Sequence, residues 1–191
     1  GNSKASRMKR MLLSPLSIVT IECDYRAKES LQKIRNVESL IPQQLQFDAI
    51  KGSVALFLSE FLMRVIREPE PYPTFFKFLT DTISLYNVME EGKANFHLCF
   101  LFNLSSFMGF YPDTGSYTKG AYFDMLNGEF VNSRPMHNHI LMPGDAEKFM
   151  LLSRMNFNNL HLFKFSRDER REALERMVEY YRIHQGFSEL K

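Results

Sequence analysis

The chain has 191 residues, 45% of them hydrophobic, with eighteen Phe, eleven Met and no Trp, so it can bury the core of one domain and a piece of another without a disulfide or metal to supply cohesion. Its formal charge of +2 is unevenly spread: residues 1–40 hold eight Lys or Arg against four Asp or Glu, while residues 41–191 hold sixteen against eighteen, which makes the N-terminal end the place to look for nucleic acid. Two distant cysteines, Cys23 and Cys99, argue against a disulfide framework and for an intracellular protein; the longest apolar run, Val54 to Ile66, is broken by Ser59, Glu60 and Arg64, so no membrane span or membrane partner is expected.

From Met11 to Glu22 the residues Leu12, Leu13, Leu16, Ile18, Val19 and Ile21 alternate in part and include β-branched types, which predicts a strand. After the charged turn Cys23 to Glu29, Leu31 to Arg35 predicts a second, and two strands alone do not make a stable domain. Past Pro42 the period becomes helical. Lys51 to Arg67 predicts a helix, mostly buried from Ser53 on but for one polar stripe, Ser53, Glu60, Arg64 and Arg67, in which Glu60 and Arg64 stand at i,i+4. The turn Pro69 to Pro73 ends it, and Thr74 is placed to cap a second helix with Phe75, Phe76, Leu79, Ile83 and Tyr86 on its inner face.

Asn95 to Pro112 is the most apolar stretch: Phe96, Leu98, Phe100, Leu101, Phe102, Leu104, Phe107 and Met108 cover nearly every face of a helical wheel, so a helix here is the buried centre of a helical domain. Gly109 and Pro112 supply its stop. Tyr111 to Pro143 has no helical period and predicts an ordered excursion, with short strands near Ala121 to Asp124 and Gly128 to Phe130. Asp145 to Met155 predicts a short helix with Phe149 and Leu152 inward. In the last helix Ser166-Arg167-Asp168-Glu169 is a capping box, Leu174, Met177, Val178 and Tyr181 form the apolar stripe, and Gly186 closes it.

Three of these segments carry a family resemblance: the helix with Phe57-Leu58-Ser59-Glu60-Phe61-Leu62-Met63-Arg64, its sequel Glu68-Pro69-Glu70-Pro71, and the helix ending in Met108-Gly109-Phe110-Tyr111-Pro112. In this order the chain resembles RecO, the bacterial recombination mediator, in a form similar to that of Bacteroides-type bacteria. The likeness runs over about the whole chain as core positions and turns, with no catalytic signature. It implies an α+β protein. Residues 1–40 would be the last strands of an OB-type β domain, truncated at its N-terminus, with Gly1 as a tag remnant; residues 41–191 would be the helical domain, with a zinc-finger-like excursion at 111–143. Many members of the family hold zinc in that excursion with four cysteines in CxxC pairs. Here the stretch has no cysteine, although Tyr122-Phe123-Asp124 and Gly128-Glu129-Phe130 look like the residues flanking those pairs, so the excursion is expected to persist on aromatic packing, without metal.

For DNA the candidates are Lys4, Arg7, Lys9, Arg10, Arg26, Lys28, Lys33 and Arg35, which have the charge to follow a phosphate backbone, with Tyr25 as a stacking face. The alternative is that they solvate strand edges and a terminus. For partners, the resemblance implies docking of the acidic, Phe-ended tail of the single-stranded DNA-binding protein, and pairing with RecR. A Met- and Phe-rich helical surface flanked by Arg64 or Arg67 suits such a tail, and simple surface pairing is the other reading of these arginines. His137 and His139 could offer two nitrogens, but zinc sites want four ligands, so both read as loop histidines.

Catalysis has no support. His97 lies only two residues from Cys99 and so on another helical face, and the sequence has no P-loop, GxGxxG or HExxH. Glu90-Glu91 and the alternating charges of the last helix read as solvated surface. No catalytic residue, metal or cofactor is expected. The resemblance implies a cytoplasmic, nucleoid-associated, non-enzymatic protein of homologous recombination that binds single- and double-stranded DNA, promotes strand annealing and mediates RecA loading with RecR and the single-stranded DNA-binding protein. The competing reading is a helical docking adaptor that does not touch DNA.

Overall fold

The computed structural model describes residues 12–28, 30–41, 44–66 and 72–186. Within them lie five helices and two small antiparallel sheets, an α+β arrangement, and the chain divides into two compact units: Gly1–Glu60 with Tyr72–Val88, and Phe61–Pro71 with Met89–Lys191. Among the described residues no helix is long and apolar enough to cross a membrane.

In the first unit, Ser14-Pro15-Leu16-Ser17 makes a turn in which Ser17 N donates to Ser14 O at 3.0 Å and Leu16 takes φ 60°. Pro in second place and positive φ in third define a type II turn. That turn shortens the expected first strand to β1, Val19–Asp24. Its partner β2, Lys33–Ser39, reaches past the expected end at Arg35 because Asn36 to Ser39 pair with β1, Ser39 opposite Val19 and Lys33 opposite Asp24. The register shifts between Glu22 and Cys23, leaving Arg35 as the extra residue of a bulge.

Helix α1, Ala49–Val65, starts two residues before the expected Lys51. Asp48 is the reason: its Oδ1 accepts from Ile50 N at 2.9 Å and Lys51 N at 3.0 Å, satisfying two of the donors a helix start leaves open. Lys51 is buried, and its Nζ donates at 3.0 Å to Asn87 O in the last turn of α2, Pro73–Val88, where carbonyl dipoles favour a cation. Pro73 opens α2, a position where its missing N–H costs nothing, so Thr74 lies inside the first turn and not at the cap. Phe75, Ile83 and Tyr86 are buried as expected, but Phe76 is exposed, one step of about 100° around the wheel from Phe75. Arg67 and the turn residues Pro69 to Pro71, like Met11 and Pro42, lie outside the described residues.

The second unit is built around α3, Phe96–Phe107, whose Phe96, Leu98, Cys99, Phe100, Leu101 and Leu104 are fully buried. Each such Leu or Phe contributes about 1.5–3 kcal/mol of apolar burial. The helix stops where expected, with Gly109 at φ 82° and Phe110 N donating back to Ser105 O. The excursion follows as a three-stranded sheet in the order β4 (Glu129–Val131), β3 (Tyr122–Asp124), β5 (Ile140–Leu141). It leads into α4, Pro143–Ser153. The closing helix α5, Arg167–Gln185, carries the capping box at Ser166 and Glu169 and ends at left-handed Gly186. Its Tyr181 hydroxyl donates to Leu101 O at 2.7 Å, and its Tyr180 hydroxyl to Phe110 O at 2.9 Å, so α5 is pinned to the middle of α3 and to the turn that follows it.

Candidate nucleic-acid and partner interfaces

Of the eight cations expected to meet DNA, Lys4, Arg7, Lys9 and Arg10 lie outside the described residues. The other four are brought to one end of the β1–β2 hairpin. Arg26 and Lys28 sit in its connection, Lys33 opens β2 opposite Asp24, and Arg35 stands at the bulge; all four are exposed. The Gln32 side chain holds this end in shape, accepting from Arg26 N at 2.7 Å and donating to Arg26 O at 3.0 Å. Tyr25, 79% exposed, stands beside them with its ring available for stacking. Arg35 Nε lies 2.6 Å from Asp24 Oδ1, so a carboxylate already neutralises part of its charge. The bulge aims Arg35 at Asp24, and the sequence pattern gave no signal for either. Arg26, Lys28 and Lys33 are the other cations of the described hairpin end.

Arg64 is half-buried near the end of α1, between exposed Met63 and Ile66, so cation and apolar surface adjoin there as expected. Sequence reasoning missed a second basic place on the same unit. An open cleft of about 420 Å³ is lined by His161, Phe163, Lys164, Phe165 and Arg170, with Glu91 and buried Asn95 on its other side. Arg170 is steadied by donation from its Nη1 to Phe165 O, and the rings of Phe163 and Phe165 lie 6.0 Å apart. Asn95 fastens the cleft wall, its Nδ2 donating to Leu160 O at 3.1 Å and Phe163 O at 2.7 Å. These residues come from a 3₁₀ turn and the start of α5, too scattered in sequence to form a motif. The cleft offers positive charge beside aromatic faces, the chemistry that holds carboxylates or phosphates next to a ring.

Cys99 and His97 are both buried residues of α3. Burial pushes the Cys99 thiol up to about 12, and its Sγ lies 3.7 Å from Met155 O within the core. Burial, with Arg170 nearby as a second cause, pushes His97 down to about 4, so it is neutral at physiological pH. A buried thiol that holds its proton is an inert core residue.

Comparison with known proteins gives a consistent result. A sequence model of the family described as "Recombination protein O C terminal" matches residues 46–191. A protein of Phocaeicola vulgatus named "DNA repair protein RecO" is 42% identical over 183 residues, covering 95% of this chain and 76% of the relative. The protein of the same name from Bacteroides fragilis is 40% identical over 184 residues, with the same coverage, and that from Porphyromonas gingivalis W83 is 34% identical over 184 residues, covering 95% and 75%.

Proposed function

Because this chain belongs to the RecO family, we propose that it is a non-enzymatic DNA repair protein of homologous recombination that binds DNA through its basic β hairpin and docks partners through its helical unit. The observation that carries the reading, beside family membership, is the gathering of Tyr25, Arg26, Lys28 and Lys33 at one exposed hairpin end. Residues 1–40 are taken as the C-terminal part of an OB-type β domain, with Lys4, Arg7, Lys9 and Arg10 as further DNA-binding cations in its sequence and Arg35 held back by Asp24. Opposed phosphate backbones repel, and cations that screen both let complementary strands meet, a task that needs no catalytic residue. In this reading the protein acts in the cytoplasm at the nucleoid, accepts single and double strands, promotes annealing, and mediates RecA loading with RecR and the single-stranded DNA-binding protein.

Two places on the helical unit suit the acidic, Phe-ended tail of the latter: α1 at Met63, Arg64 and Ile66, with Arg67 next in sequence, and the cleft with Lys164, Arg170 and Phe163. Each offers a cation for carboxylates and an apolar contact for the terminal ring. The same exposed surfaces favour the second reading, an adaptor that docks partners and leaves DNA alone. Annealing of complementary oligonucleotides, followed by energy transfer between end labels, separates the two. Acceleration by the protein, weakening with salt, supports the mediator; binding of a labelled acidic peptide ending in Phe without any acceleration supports the adaptor. In the peptide assay, loss with Arg64→Glu assigns the tail to α1, and loss with Lys164→Glu assigns it to the cleft.

A further inference from the structure

The family resemblance implies zinc in the excursion between α3 and α4, and the residues of this chain do not fit one. Residues 111–143 contain no cysteine, and among the described residues no three His, Cys, Asp or Glu side chains come together as a metal site would require. His137 and His139 have their rings 6.4 Å apart and offer two nitrogens at most, against the four ligands of a structural zinc.

The carboxylate that could join them is already saturated. Asp124 Oδ1 accepts from Leu126 N at 2.9 Å and Asn127 N at 3.1 Å; its Oδ2 accepts from Asn127 Nδ2 at 2.8 Å and lies 3.2 Å from His137 Nε2. An ionised carboxylate only accepts, so Nε2 carries the proton and His137 donates it. That leaves His137 Nδ1, buried and facing no partner, and the His139 ring, two nitrogens at most and short of the four ligands of a structural zinc.

We propose that Asp124 and His137 have taken over the joint that a metal makes elsewhere in the family, so that the excursion of this chain closes as a metal-free hub. A structural metal ties two arms of a loop to one point. Asp124 does the same, fixing the β3–β4 turn through Leu126 and Asn127 and the arm before β5 through His137, thirteen residues away. Backbone bonds from Gly128 N to Asp124 O and from Met125 N to His139 O reinforce both arms. Behind the hub, Phe123 packs on Phe130 at 4.8 Å and on Phe149 at 4.6 Å, so an aromatic layer supplies the core that a small metal module lacks. Burial of the carboxylate is tolerated because four donors replace its water, and bonds to a charged acceptor are the stronger kind.

Elemental analysis and thermal melting of the purified protein, with and without EDTA, test this directly beside His137→Ala and Asp124→Ala. The expected result is no stoichiometric zinc, a melting temperature unmoved by chelator or by added zinc, and melting about 2–4 °C lower in His137→Ala, with faster hydrogen exchange at the Leu126 and Asn127 amides. Should Asp124→Ala fail to fold, His137→Ala decides alone, since it removes a single bond. One zinc per chain with a chelator-sensitive melt overturns the proposal, and so does a His137→Ala protein that melts and exchanges like its parent.

Discussion

His97 and Gly128 show how much of this protein's behaviour is set by single residues. His97 is pushed down to about 4 by burial, with Arg170 adding to the effect, whereas the unfolded chain titrates it near 6.5. Between those values the unfolded state binds a proton that the folded state refuses, so stability is fully present above about pH 6.5 and falls as the pH drops toward 4, by about 3 kcal/mol in all. Urea unfolding at pH 7.5, 5.5 and 4.5 should show that decline, and His97→Asn should flatten it; an unchanged slope in the variant would place the acid sensitivity elsewhere. Gly128 has φ 71°, and a Cβ there would lie 2.5 Å from the Tyr180 hydroxyl. Gly128→Ala is expected to cost about 2 kcal/mol, from left-handed strain together with that clash, and Tyr180→Phe should recover part of the loss because it removes the oxygen in the way. Additive losses in the double variant would show that strain alone is responsible. The sequence drew notice to both residues but not to these roles: the burial of His97 and the approach of Gly128 to Tyr180 arise only through the fold.

At the scale of elements, what could be read from the sequence was what is written in consecutive residues. The capping box of α5 was legible because Ser166 and Glu169 are three apart and act on each other, Ser166 N donating to Glu169 Oε2 at 2.7 Å. The buried run of α3 and its stop at Gly109 were legible for the same reason. The early start of α1 was not, since Asp48 precedes residues with little helical period, and neither was buried Lys51, whose partner Asn87 lies 36 residues away. Strand β5 is two residues long, below any periodic signal, and exists only because Phe123 and Asp124 offer an edge to Leu141 and Ile140. Thermal or urea unfolding of Ser166→Ala should report a loss of about 1 kcal/mol from the capped end of α5. Asp48→Ala should lose a similar amount from α1; no loss there would mean that α1 is held by packing alone.

For the whole molecule, family membership together with a local basic end is the argument, because net charge of +2 alone says nothing about DNA. Composition could place eight cations near the N-terminus, but only pairing could show that Arg26, Lys28 and Lys33 share one hairpin end while Arg35 is engaged by Asp24. The cleft with Lys164 and Arg170 was invisible for the opposite reason, since residues 91–95 and 160–170 meet only in three dimensions. The measurement that bears most directly on the mediator account is fluorescence anisotropy of labelled single-stranded DNA at low and moderate salt, with the protein and its Arg26→Glu/Lys28→Glu/Lys33→Glu variant. The account predicts binding by the parent that weakens steeply with salt, at least about tenfold weaker binding by the variant, and a salt slope shallower by about 2, as expected for three lost phosphate contacts. Equal affinity and equal slope for the two proteins, or no binding by the parent, would contradict it.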